Sequence, residues 1–370
     1  EWAKPGKTGR IVCDLTTPAS LRDGRIPKAV KAAMGATPIR IPWAKGWAHG
    51  YFVDSPNLDV LETYFRMMTT DPVYLFFSDD ASMSYPYLGV DGLVHYAFVN
   101  VDISSCDSSQ GPRVFECLHD VVPCDLHLDL DMLIKQCRQP CVAGYGKERL
   151  CFIPKNPVEY SGSLLTTSLN NIATAAIFIQ LMHDFPLLGH VDSRLELERR
   201  AESSGWKLTM EFCDLSGVQF LKCSPTRDIT GEVRAFFNWG PVLRMMGQKS
   251  WDLPGRGDLH ARAEEFNSQL VAGLKHAGDC ELIRTLRRRF PRHREVDALY
   301  NSNALSRLGE VRSMRPPLDD VACCARYGLT PSEYERLCTS IEHSQIGDVI
   351  NLRFLLDDPS HSPIFVDYGL

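Results

Sequence analysis

Two acidic clusters, each ending an apolar run, are the residues in this chain best suited to chemistry. Val73-Tyr74-Leu75-Phe76-Phe77-Ser78-Asp79-Asp80 delivers two adjacent carboxylates, and the run from Tyr96 ends in Asp102-x-x-x-x-Asp107. Short apolar runs rich in aromatic and β-branched residues read as buried strands. If the two strands are neighbours, Asp79, Asp80 and Asp102 meet at one end of a sheet. Carboxylates gathered that closely favour a counter-ion. Oxygen-only ligation suits Mg²⁺ or Mn²⁺, and a pair of such ions about 3.5–4 Å apart is the usual apparatus for phosphoryl or nucleotidyl transfer.

A third polar group is Ser161-Gly162-x-x-x-Thr166-x-x-x-Asn170, a glycine turn opening a helix whose apolar positions continue to about Leu181. Thr166 and Asn170 lie four apart on one helix face. Capping accounts for Ser161 or Ser163 but not for Asn170, whose stripe is expected to face a ligand or a buried partner.

These groups need elements to carry them. Ser55 and Pro56 suit the start of a helix, Leu58, Leu61, Phe65 and Met68 recur at helical spacing, and Asp71-Pro72 stops it. Ala81 to Tyr85 returns as a partner strand, making Ser78-Asp79-Asp80 the tip of a hairpin, and Gly89 to Gly92 turns the chain into the Asp102 strand. The alternating Asp125-Leu-His127-Leu-Asp129-Leu-Asp131 imitates a metal site but reads as a half-exposed strand or the start of the next helix. Cys137 and Cys141 lack the second pair that a zinc site needs. Arg194 to Ser204 reads as a charged helix, Trp206 to Met210 as a strand, and Gly217 to Lys222 as a further strand at a hairpin edge. From about Pro241 the pattern is helical, with a stripe through Leu259, Ala263, Phe266, Leu270 and Leu274 and a capping box at Thr330-Pro-Ser-Glu333. Arg284, Arg287, Arg288, Arg289, Arg292 and Arg294 form a basic cluster, suited either to a nucleic-acid backbone or to a solvated or partner-binding face.

The chain has 370 residues, 44% of them apolar and 23% charged, enough for two or three domains with a sizeable core. No apolar run has the length of a membrane span. Thirteen cysteines, an odd number without a Cys-x-x-Cys pair, argue for reduced thiols and a cytoplasmic setting. The start at Glu1, within what reads as the middle of a domain, suggests a piece of a longer protein. Net charge is −6, which speaks against a protein that simply coats nucleic acid, but the charge is unevenly spread. Residues 1–50 carry nine Lys/Arg against three Asp/Glu, whereas residues 51–135 carry three against fourteen. A basic segment ahead of an acidic one suits an anionic substrate bridging cations and metal-binding carboxylates. Lys4, Lys7 and Arg10 sit on a Gly/Pro-interrupted ribbon, readable as a phosphate-binding arm or as a solvated loop.

Taken together, these motifs resemble those of viral RNA-dependent RNA polymerases. Ser161 to Asn170 is similar to motif B, Asp102-x-x-x-x-Asp107 to motif A, and Ser78-Asp79-Asp80 to motif C. Lys207 lies where motif D would, Val218-Gln-Phe-Leu-Lys222 resembles motif E, and Lys4 to Val12 resembles the basic motif F. The resemblance covers roughly residues 1–225. Standard polymerases run A, B, C; here the Asp-Asp hairpin precedes motif A, an order similar to the permuted polymerases of permutotetraviruses and birnaviruses. Birnaviruses carry Ala-Asp-Asn at motif C, so Ser78-Asp79-Asp80 departs from them and keeps a second carboxylate.

The resemblance implies an α+β right-hand fold with an antiparallel palm sheet flanked by helices. It assigns residues 1–55 to partial fingers, 56–240 to the palm and 241–370 to a helical thumb. Within the palm, motif C spans 73–85, motif A 96–110, a fingers insertion 111–158, motif B 160–181, motif D 193–211 and motif E 217–223. Asp102, Asp79 and Asp80 would then hold two Mg²⁺ or Mn²⁺ ions. Asp107, Asn170 and Thr166 would read the ribose 2′-hydroxyl, and Ser161-Gly162 would form a flexible turn against template and nascent pair. Lys4, Lys7 and Arg10 would clamp the triphosphate, and Lys207 would donate a proton to pyrophosphate. The implied partners are an RNA template, nascent RNA, ribonucleoside triphosphates and other viral replication proteins, in the host cytoplasm within a replication complex or virion. A reverse transcriptase or another palm nucleotidyltransferase is the enzymatic alternative, and an inactive RNA-binding scaffold the non-enzymatic one.

Overall fold

Residues 94–103 show how the sheet is built: Val99, Val101 and Ile103 are buried, Asn100 is half-buried and Asp102 is exposed. This is the period-two pattern of a strand with one covered face. The computed structural model describes residues 24–54, 57–145, 147–247, 253, 256–291, 316–350, 352–356 and 358–368. The arm with Lys4, Lys7 and Arg10, the expected cap Ser55-Pro56, and Arg292 and Arg294 lie outside the described residues.

The first elements are α1 (Arg25–Ala36), β1 (Ile39–Trp43), β2 (Gly46–Phe52), α2 (Leu58–Met67), β3 (Val73–Phe77), β4 (Asp80–Leu88) and β5 (Val94–Ile103). Then come α3 (Cys106–Ser109), α4 (Pro112–Val121), α5 (His127–Gln136), β6 (Cys141–Tyr145), β7 (Glu148–Phe152), α6 (Thr166–Met182), α7 (His190–Glu202) and β8 (Leu208–Cys213). The remainder comprises β9 (Cys223–Arg227), β10 (Val233–Phe237), α8 (Trp239–Gly247), α9 (Leu259–Gly273), α10 (Glu281–Arg289), α11 (Asp320–Ala325), α12 (Pro331–Glu342) and α13 (Ser362–Tyr368). No helix among the described residues is long and apolar enough to cross a membrane. Two compact units emerge, one from the residues up to Asp54 with Thr70–Phe212, the other from Ser55–Thr69 with Cys213 onward. The second unit thus takes in α2 and residues 213–240, which the resemblance puts with the palm.

The fold is α+β. In the first unit six strands lie in the order β1-β2-β3-β4-β5-β8. The expected antiparallel sheet is in fact mixed: β3·β4 and β4·β5 are antiparallel, but β2 and β3 run parallel. The segment between β2 and β3, which includes α2, is long enough to return the chain to its starting end, as a parallel pair requires.

Helix α6 is apolar nearly all round and correspondingly buried. One side, with Ile177, Phe178 and Leu181, packs on Tyr74, Phe76, Met83, Val99 and Val101 of the sheet; the Tyr74 and Phe178 rings stack at 4.9 Å. Gly50 of β2 permits this approach, since a Cβ there would meet the Phe178 ring at 2.7 Å. Leu169, Ile172 and Ala173 join a second core with Val30 of α1, Leu118 of α4 and Leu133 of α5.

Several expectations are corrected. Of the two readings open for residues 125–131, the start of a helix is the one found: they enter α5 through a short 3₁₀ turn, with Leu130 and Leu133 buried at helical spacing. Their acids face different partners, Asp129 bonding Arg25 at 2.7 Å and Asp131 bonding His119 at 2.8 Å. Asn57 caps α2, its side chain accepting from Asp59 N at 2.8 Å. Residues 218–222 form no strand. Leu221 and Lys222 have φ of 50° and 64°, making a tight turn closed by two 2.9 Å bonds between Phe220 and Cys223, and the hairpin is β9·β10.

In the second unit Trp239 stacks between Tyr327 and Tyr334, both at 4.8 Å. The capping box at Thr330 and Glu333 forms as its sequence dictates. The arginine cluster on α10 is not a bare basic track: Arg284 pairs with Asp279, Glu281 and Asp320, Arg288 with Glu281 and Glu342, and Arg289 with Glu264.

Candidate active site

The hairpin β3·β4 turns on two residues, Ser78 and Asp79, with Phe77 opposite Asp80. Asp80 in turn stands directly opposite Asp102 in the β4·β5 ladder. Residues opposed in this way project to the same face with Cβ atoms about 4.5–5.5 Å apart. Asp79 and Asp80 are half-buried and Asp102 is exposed, so all three sit at the open end of the sheet. The register thus brings Asp80 and Asp102 face to face, with Asp79 one residue away at the turn. Lys207 is exposed just ahead of β8, and its carbonyl accepts from Ser104 N at 2.9 Å, two residues beyond Asp102.

Opposed carboxylates repel unless a cation or proton lies between them. The donor set is all oxygen, the chemistry of Mg²⁺ or Mn²⁺. Among the described residues no group of three or more His, Cys, Asp or Glu is gathered closely enough to hold an ion unaided. A Mg²⁺ site does not need one, since one or two carboxylates, waters and substrate phosphates commonly complete the shell. The residues fit that kind of site and not an all-protein cage.

A second polar set lies at the start of α6. Ser105 adopts a left-handed conformation (φ 54°) and throws the chain into α3, presenting Asp107. Asp107 Oδ2 accepts from Ser161 Oγ, and Oδ1 accepts from Asn170 Nδ2 at 3.0 Å. Asn170 is 1% exposed and fully committed. Its second amide proton goes to Ser78 Oγ at 3.3 Å, and its carbonyl accepts from Gln110 Nε2 and the Cys106 thiol, both at 3.1 Å. With donors on one side and acceptors on the other, the network itself fixes the amide orientation. A saturated Asn170 has no spare donor for a ribose, whereas the Asp107 carboxylate has lone pairs left. Gly162 (φ 89°) supplies the turn that glycine adopts without strain. Thr166 does not face the site: its hydroxyl donates to the Tyr160 carbonyl at 3.1 Å and closes that turn.

Sequence reading missed Glu159. It is 3% exposed and, among the described residues, neither carboxyl oxygen has a hydrogen-bond partner. Burial first, then the charge of Asp107, pushes its pKa up to about 9, and Asp79 adds to the rise. The nearby Thr166 hydroxyl works the other way, but its proton is already given to Tyr160. Glu159 is therefore a neutral acid at pH 7. The buried Cys106 thiol is likewise pushed up, by burial first and then by Asp79, Glu159 and Asp107. Nothing local in sequence marks Glu159, because its neutrality depends on what surrounds it. Asn171 and Thr174 were also missed. Asn171 Oδ1 accepts from Ser78 N at 2.6 Å, and Thr174 Oγ1 donates to Ser78 O at 2.6 Å. Thr174 could have been found, since it stands four residues after Asn170 on the same helix face.

Comparison of the chain with protein-family models, curated proteins and solved structures finds no match.

Proposed function

We propose that this chain is an RNA-directed RNA polymerase with a permuted palm, adding ribonucleotides to an RNA 3′-hydroxyl in the replication and transcription of a viral RNA genome. The observation that carries this reading is the register of β4 and β5, which sets Asp80 against Asp102 beside the Asp79 turn. The Asp107–Ser161–Asn170 set approaches the same turn through Ser78. A Mg²⁺ phosphohydrolase also uses paired acids but has no use for that second set.

In this reading Asp102, Asp79 and Asp80 would hold two Mg²⁺ or Mn²⁺ ions. Such ions, when bound, make the primer hydroxyl more acidic and neutralise the triphosphate and departing pyrophosphate. The chain's own task is positioning, which is most of what phosphoryl transfer asks of a protein. Asp107 accepts a hydrogen bond from the ribose 2′-hydroxyl, the group that separates RNA from DNA precursors. Ser161 and Asn170 aim that carboxylate. Lys207, exposed beside the end of β5, is the candidate proton donor to pyrophosphate. Lys4, Lys7 and Arg10 are proposed to clamp the triphosphate. The partners are an RNA template, nascent RNA and ribonucleoside triphosphates, with other viral replication proteins, in the host cytoplasm.

The test is incorporation of labelled nucleotides on a primed RNA template with Mg²⁺. The expected result is ribonucleotide addition that Asp102→Ala and Asp79→Ala abolish while circular dichroism stays native. Preference for deoxynucleotides would mark a reverse transcriptase, and full activity in either variant would remove the metal assignment.

A further inference from the structure

Ser78 is a non-glycine residue at φ 57°, in the left-handed region that L-residues rarely adopt. Such strain persists where surrounding bonds over-determine it. Here one helix provides them all. Asn171 accepts from the Ser78 amide, Thr174 donates to its carbonyl, and Asn170 donates to its hydroxyl, at 2.6, 2.6 and 3.3 Å. Asn171 and Thr174 are 3% and 1% exposed, so these bonds are shielded from water. The single Thr174 proton is shared with Asn170 O at 2.8 Å, the longer of its two contacts. The peptide groups gripped in this way carry Asp79 on the next residue.

We propose that Asn171 and Thr174 are positioning residues for the Asp79 carboxylate, clamping the turn so that it stands ready beside the Asp80–Asp102 pair. The inference rests on the polymerase reading of that pair. Neither residue touches substrate. Because Asn170 bonds both Asp107 and Ser78, the sugar contact and the carboxylate turn share one rigid support. Loosening the clamp lets Asp79 sample other directions, which weakens metal binding and slows addition, while the Asp107 contact to the nucleotide survives.

The experiment uses the full chain with Mn²⁺ as probe, its binding followed by loss of the free-ion electron paramagnetic resonance signal. Thr174→Val keeps shape and removes the donor; Thr174→Ser restores it; Asn171→Ala removes the amide acceptor. We expect Thr174→Val and Asn171→Ala to weaken Mn²⁺ binding about tenfold, the lower end of what losing a partner that orients a metal ligand costs. In Thr174→Val, kcat should fall with the nucleotide KM unchanged and recover at raised Mg²⁺, and Thr174→Ser should behave as native. If native chain binds Mn²⁺ and Asp102→Ala does not, yet Thr174→Val binds as tightly as native with native kcat, the clamp is overturned and the polymerase reading stands. If native chain binds no Mn²⁺, both are overturned. Thr174→Val keeps the proposal testable should Asn171→Ala fail to fold, and equal losses in Thr174→Val and Thr174→Ser would also overturn it.

Discussion

Replacing Glu159 with Gln tests the electrostatics of the site without reference to its activity. The folded carboxyl titrates at about 9 and the ordinary one at 4.5. Between those values the folded chain holds one proton more than the unfolded chain, so stability is greatest below the lower value and declines as pH rises, levelling off above the higher. At pH 7 the unfolded carboxyl lies about 2.5 pH units past its midpoint while the folded one is still protonated. At about 1.4 kcal/mol per pH unit, keeping this residue neutral costs about 3 kcal/mol. The amide of Glu159→Gln has the same shape and no such dependence, and any penalty for its unbonded groups does not vary with pH. Urea unfolding of both proteins from about pH 5.5 to 8.5 isolates the effect, because every other titrating group is common to the two. The stability difference should shift in favour of Glu159→Gln by about 4 kcal/mol across that range. Curves that stay parallel would show that Glu159 ionises freely in the folded chain, and the description of this buried acid would be wrong.

Two other perturbations separate recognition from packing. Asp107→Ala should relax discrimination against deoxynucleotides most. Asn170→Ala should do so less, since its amide acts through Asp107; competition between ribo- and deoxynucleotides measures both, and unchanged selectivity in Asp107→Ala would contradict the sugar contact. In the second unit, Arg326 bonds Asp367 through two nitrogens at 3.0 and 3.2 Å, with both side chains nearly inaccessible. Arg326→Met should destabilise that unit by about 3–5 kcal/mol by leaving a buried charge unpaired. Combining it with Asp367→Leu should recover the part due to the unpaired carboxylate but not the bonds that Arg326 gives to Gly217 O and Gln219 Oε1, at 3.0 and 3.1 Å, and calorimetry on the single and double variants checks this.

Much of the site was legible from residue order alone. Apolar runs ending in Asp79-Asp80 and Asp102, a glycine turn before a long apolar helix, and the capping box at Thr330 are local patterns, and local patterns follow from side-chain periodicity and backbone caps. Long-range pairing was less legible. The parallel placement of β2 beside β3 was missed because which strand a neighbour joins is settled by where the intervening chain returns. Gly217 to Lys222 read as a strand on composition, yet two left-handed residues at 221 and 222 turn it instead.

By itself the sequence determined which segments carry acids and which helix carries the polar stripe. Only the tertiary structure decided that Asp80 stands opposite Asp102, that Asn170 is saturated, that Ser78 is gripped by Asn171 and Thr174, and that Glu159 stays neutral. The division has a physical cause. Periodicity and capping act within a few residues, whereas hydrogen-bond satisfaction and desolvation depend on groups far along the chain, 96 positions apart for Ser78 and Thr174, and exist only once the chain has closed around them.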